Sequence, residues 1–165
     1  MNRNTRPRKP RPVHVNAVQQ AINRARKLAP ADVAGQVQLI TVALAQFMRG
    51  ENCGEHWRSL ADTANVAETF EAMGICSGPQ AQRVIDQAQT ALYNVQLRHQ
   101  QRGTWTLYAH EVDELTWLNA VHSHQLRECS YGEFERALRT THHRLAAARA
   151  GNAPKGALVI TGDIA

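Results

Sequence analysis

Eight histidines, three cysteines and fourteen carboxylates are the side chains of this 165-residue chain that could do acid–base, nucleophilic or metal chemistry. Their spacing supports little of it. His110 and Glu114 are four apart, so one helix face could offer both to a cation. A surface hydrogen bond between them is the plainer expectation. His122 and His124 are two apart and point about 200° away from each other on a helix, and the adjacent His142 and His143 diverge similarly. There is no H-E-x-x-H and no Glu-x-x-His of the di-iron bundles, so no metal site is expected. Cys53, with His56 three residues on, and Cys129 fall near expected helix starts, where a dipole could lower a thiol pKa; buried, unreactive thiols are the default. Without a G-x-S-x-G, a P-loop or a dinucleotide fingerprint, neither an enzyme nor a cofactor is expected.

Charge carries the stronger signal. The chain is +5, and Arg3, Arg6, Arg8, Lys9 and Arg11 lie in a segment with Pro7, Pro10 and Pro12 and no acid. Removing residues 1–12 leaves fourteen cations against fourteen acids. The first acid is Asp32, preceded also by Arg24, Arg26 and Lys27, so residues 32–165 carry −3. Proline fixes the arm near an extended conformation and denies it to a helix. Such a cationic strand can follow phosphates or enter a minor groove, so these eight residues are the candidate contacts to DNA or RNA, or to an acidic partner. The arm is a poor AT-hook, since Lys9 stands where that motif has its central Gly-Arg-Pro. The competing reading is a disordered, solubilising terminus.

The same arm is not a targeting signal by composition. His14, Asn16, Gln19, Gln20 and Asn23 break the stretch a secretory signal needs, and no serine precedes Ser59, which argues against a transit peptide. The longest apolar run, Leu39 to Ala45, is far below the ~18 residues of a membrane span. An odd number of cysteines without C-x-x-C spacing reads as reduced thiols. A cytoplasmic protein without membrane contact is expected.

The elements that must position these residues are helices. Aromatics are only 5% of the chain, so its core is built mainly from Ala, Val, Leu and Ile. Apolar stripes at three- and four-residue steps mark six helices. The first carries Val15, Val18, Ile22, Ala25 and Leu28 and stops before Pro30; the second is capped by Asp32 and carries Val33, Val37, Ile40, Leu44 and Phe47 up to Gly50. Both stripes read as core. The third, from about Glu55 to Met73, aligns Trp57, Leu60, Ala64 and Ala67 with Phe70 or Glu71. The fourth starts at Pro79 and ends at Gly103 with Ile85, Ala88, Leu92 and Val95 inside. A fifth follows Thr106 with Tyr108, Val112, Leu115, Leu118 and His122 on one side, and Ser130 to Glu133 form a capping box for a sixth carrying Phe134, Leu138, Thr141, Leu145 and Ala148. Short Gly, Pro and Ser turns favour antiparallel neighbours, hence an all-α, up-and-down bundle over 13–150. A disordered basic arm (1–12) precedes it and a short tail (151–165) follows. Within that tail Leu158-Val159-Ile160 could dock or form an edge strand.

Three further features bear on function. Leu60 to Ala67 resembles the opening of a helix-turn-helix, but the next helix would present Glu68, Thr69 and Glu71 to phosphates, so a plain core helix is the better reading. Trp105 reads as a staple on the first turns of the fifth helix near His110, and Trp57 and Trp117 as core. Excess apolar surface at Trp117 and Val121 could also pair two chains.

Trp57, Leu60, Asn65-Val66-Ala67, Gly74-Ile75, Gly103-x-Trp105, Glu111-x-x-x-Leu115, His124-Gln125-Leu126 and Ser130-x-x-Glu133 together give the stretch from Trp57 to Arg144 its character. That stretch resembles a group of uncharacterised small helical proteins encoded in proteobacterial genomes, often in prophage or other mobile regions. The resemblance implies a bacterial or phage accessory protein and no particular chemistry, and the arm lies outside it. The leading expectation is a non-enzymatic accessory protein whose arm meets nucleic acid or an acidic partner. The alternative is a helical adaptor or inhibitor module that binds protein through its helix faces.

Overall fold

A computed structural model of the chain describes residues 17–152, so the arm cations Arg3 to Arg11 and the Leu158-Val159-Ile160 segment lie outside the described residues. The described chain is six helices packed against each other: α1 Ala17–Ala25, α2 Pro30–Met48, α3 Cys53–Ala72, α4 Pro79–Arg102, α5 Ala109–Glu128 and α6 Tyr131–Arg149. Helices α2 to α5 close a ring in which each touches its sequence neighbours, α2 meets α5, and α3 reaches α5 across the middle. The expected stripes meet there: Ile40, Leu44 and Phe47 face Trp57, Leu60 and Ala64, and Ile85, Leu92, Leu115 and Leu118 complete the cluster. The Trp57 indole N–H donates to the Leu92 carbonyl at 2.9 Å, so the largest core side chain is buried with its polar atom satisfied. Phe70, not Glu71, takes the inward position on the last turn of α3.

A second apolar cluster joins Val33, Val66, Phe70, Leu126, Cys129 and Ala137 at the α5–α6 corner. Polar side chains tie α6 to α3. Thr69 and Thr141 share a hydrogen bond at 2.8 Å, Arg144 bridges to Glu68 at 2.8 Å, and Gln89 donates to the same Glu68 carboxylate at 3.1 Å. Phe134 stacks on Phe70. Numbers therefore rise along α6 as they fall along α3, and the two helices are antiparallel.

Ser130 caps α6 as expected: its hydroxyl accepts from the Glu133 N–H at 3.3 Å, and its own N–H donates to the Glu133 carboxylate at 2.7 Å. Gly103 ends α4 in the left-handed region (φ 69°), where its N–H reaches the His99 carbonyl at 2.7 Å.

Four expectations need correction. Helix α1 stops at Ala25, and none of its residues is buried; among the described residues its main packing partner is α6, which leaves Val18 and Ile22 exposed. The α2 cap is Ala29, with Pro30 beginning the helix and Asp32 in its first turn, since proline needs no hydrogen-bond partner there. Trp117 is 65% exposed on the outer side of α5 rather than core. Trp105 turns back from the α4–α5 connection to pack against Phe47, Trp57 and His99, stacking on the imidazole at 4.0 Å, instead of stapling α5 near His110.

Candidate nucleic-acid interface

Of the eight expected contacts, five belong to the arm outside the described residues. The other three meet the fold at the α1–α6 edge. The Arg26 carbonyl accepts from the Tyr131 N–H at 2.8 Å, and Lys27 pairs backbone with Ser130. A side chain at Gly132 would put its Cβ 3.1 Å from Arg24, so glycine there admits the close approach. These contacts run in opposite order along the two segments, so numbers fall along α1 as they rise along α6 from Ser130 to Glu135.

Two of those three cations already have carboxylate partners. Arg24 sits 3.7 Å from Glu135, and Lys27 is 3.1 Å from the Glu128 carboxylate while also bonding that residue's carbonyl. Both pairs are solvent-exposed and contribute at most about 1 kcal/mol each. Arg26 is exposed.

The edge also gathers cations that the sequence alone does not single out. Arg136 and Arg139 join Arg24 around an open polar hollow of about 380 Å³, shared with Glu133 and Glu135. Hydrogen bonds from the Ser130 N–H and hydroxyl hold the Glu133 carboxyl below its ordinary range, so it stays ionised. His142 and His143 line an adjoining hollow with Arg24 and Arg139. The signal in the sequence was the spacing Arg136, Arg139, His143, one face of a helix whose opposite face carries Ala137 and Thr141 inward. It has meaning only once α1 is placed beside it.

The chemistry-bearing residues weighed from sequence are not assembled into a reactive site. Among the described residues, no group of three His, Cys, Asp or Glu is placed to hold a metal ion. Desolvation raises the Glu114 carboxyl, with His110 opposing that shift. Burial, not a helix dipole, governs the thiols: it raises Cys53 and Cys76, and pushes Cys129 up to about 11. Cys129 closes α5 and lies two residues before α6 begins. His122 is buried and held neutral, its pKa lowered by desolvation to about 4. Leu60 to Ala67 runs unbroken within α3, without a helix-turn-helix.

The most elaborate polar constellation joins α4 to α5. Arg98 donates to the Thr106 carbonyl at 2.8 Å and to the Glu111 carboxylate, and its guanidinium lies 4.3 Å over the Tyr108 ring. Glu111 also accepts from the Tyr108 N–H at 2.8 Å, which starts α5. This network is anchored on the buried Glu111 carboxylate and positions a helix entry. No helix of the described residues is long and apolar enough to cross a membrane. Searches against protein-family models, curated proteins and solved structures give no match.

Proposed function

We propose that the protein is a non-enzymatic, cytoplasmic accessory protein of a bacterium or its mobile elements, which engages nucleic acid through its basic N-terminal arm. One observation carries this reading. The first eleven residues hold the whole +5, whereas residues 17–152 balance thirteen Lys and Arg against thirteen Asp and Glu. A neutral body gives a polyanion no general attraction, so binding would be concentrated in the arm.

The α1–α6 edge supports the same reading from the folded side. Helix α1 lies against α6 so that Ala21 and Arg24 line a hollow with Arg136 and Arg139, and Arg24 lines an adjoining one with Arg139 and His143. A backbone lying on the arm could continue onto these side chains. Contacts of this kind are made to phosphates and carry no base selectivity. The test is fluorescence anisotropy with labelled duplexes of unrelated sequence. The full chain should bind them equally, and a chain lacking residues 1–12 should lose most of that affinity. Undiminished binding by the truncated chain would overturn the proposal, and a preference for an acidic peptide over DNA would replace nucleic acid with a protein partner.

The exposed indole of Trp117 favours a second reading, an adaptor that docks a partner helix on the outer face of α5. Its binding would be insensitive to salt and lost in Trp117→Ala, whereas arm binding would be unaffected by that change.

A further inference from the structure

An apolar groove of about 420 Å³ runs between α2 and α6 with α3 as its floor. Leu39 and Val42 form one wall, Phe134 and Leu138 the other, and Val66 and His122 lie beneath. Leu39 is 65% exposed and Val42 37%, although both stand beside the main core. The His122 imidazole is 5% exposed and lies in the floor of the groove. A wall of bare Leu and Val beside the main core is the profile of a surface that something covers.

We propose that the occupant is the chain's own C-terminal segment, with Leu158, Val159 and Ile160 seated on Leu39, Val42 and Leu138. Three observations select it. Because α6 runs antiparallel to α3, its last turn comes alongside the groove at Asp62, part-way along the α3 floor, whose carboxylate feels both His142 and Arg149. The described chain stops three residues after α6, at Asn152, and thirteen residues follow. The six steps from Asn152 to Leu158 span about 20 Å when extended, against about 15 Å for the α2 wall from Gln36 to Gln46. The segment's composition also matches: Ala157 to Ile160 is an uninterrupted apolar run, and the cation before it, Lys155, is complementary in charge to a rim carrying Glu55 and Asp62. No other apolar run of that kind lies outside the described residues, since the arm at the opposite terminus is cationic and proline-rich.

The full chain tests this without removing any folded element. In a methyl-labelled sample, a soluble gadolinium chelate reports how open the Leu39, Val42 and Leu138 methyls are. The variant Leu158→Asp, Val159→Asp, Ile160→Asp should broaden them severalfold more than the parent chain, independently of protein concentration. A groove variant, Leu39→Glu, lies at an exposed position and should leave the fold intact while making Lys155 severalfold more sensitive to trypsin. Methyls equally open in both chains would overturn the proposal, as would an unchanged cleavage rate. Protection that appears only as concentration rises would also overturn it and assign the groove to a second copy of the chain.

Discussion

At the start of α5, Glu111 is buried to 1% and Arg98 closes over it, whereas at the end of the same helix Glu128 meets Lys27 with both side chains more than half exposed. The chemistry of the two pairs is the same and their consequences differ. The first is locked by bonds from the Tyr108 N–H and to the Thr106 carbonyl, so it fixes where α4 stops and α5 begins. The second lies in water, where screening over about 10 Å at moderate salt leaves it weak and exchangeable. Buried charge here builds the scaffold; open charge, at the α1–α6 edge, remains available to a polyanion. Substitutions can test that division.

The largest effect belongs to the buried pair. Glu111→Ala leaves the Arg98 guanidinium without its partner and should lower stability by about 3–5 kcal/mol in urea unfolding. A loss below about 1 kcal/mol would mean that the two ends of α5 are equivalent after all.

Next comes the pH response of His122. Burial lowers its folded pKa to about 4, while the unfolded side chain titrates near 6.5. Between those values the unfolded chain binds the proton and the folded chain does not, so stability falls as pH drops through the window and is level above it. The loss is about 3 kcal/mol, and His122→Phe should remove most of it, as followed by thermal unfolding at pH 4.5 and 7. Equal pH dependence in both proteins would show that the imidazole is not buried as described.

Smaller again is the α6 cap, where Ser130→Ala should cost about 1 kcal/mol through loss of the bond to the Glu133 N–H. Lys27→Ala, at the open end of α5, should change stability by less than about 1 kcal/mol. A large loss there would erase the contrast between the two ends.

Helices α2 to α6 were legible because their stripes keep helical spacing and each packs at least part of its apolar face on another helix. The same periodicity misplaces α1. Val18 and Ile22 keep a helical rhythm, but a stripe says which face is apolar and not whether anything packs on it. Trp117 fails for the same reason, lying on the side of α5 turned away from the core. Glu111 with Arg98 was out of reach, because thirteen residues and a turn separate them and their meeting depends on how α4 and α5 cross. The arm was fully legible as charge. The hollow of Arg24, Arg136 and Arg139 was not, since its members come together only when Gly132 lets α1 lie against α6.

The central claim, that the open charge of the arm makes the main contact to nucleic acid, is tested most directly by the salt dependence of DNA binding with and without residues 1–12. Five phosphate contacts from Arg3, Arg6, Arg8, Lys9 and Arg11 contribute about −4.5 to the slope of log affinity against log salt, and their removal should make it shallower by that amount. The same slope in both chains would contradict the account.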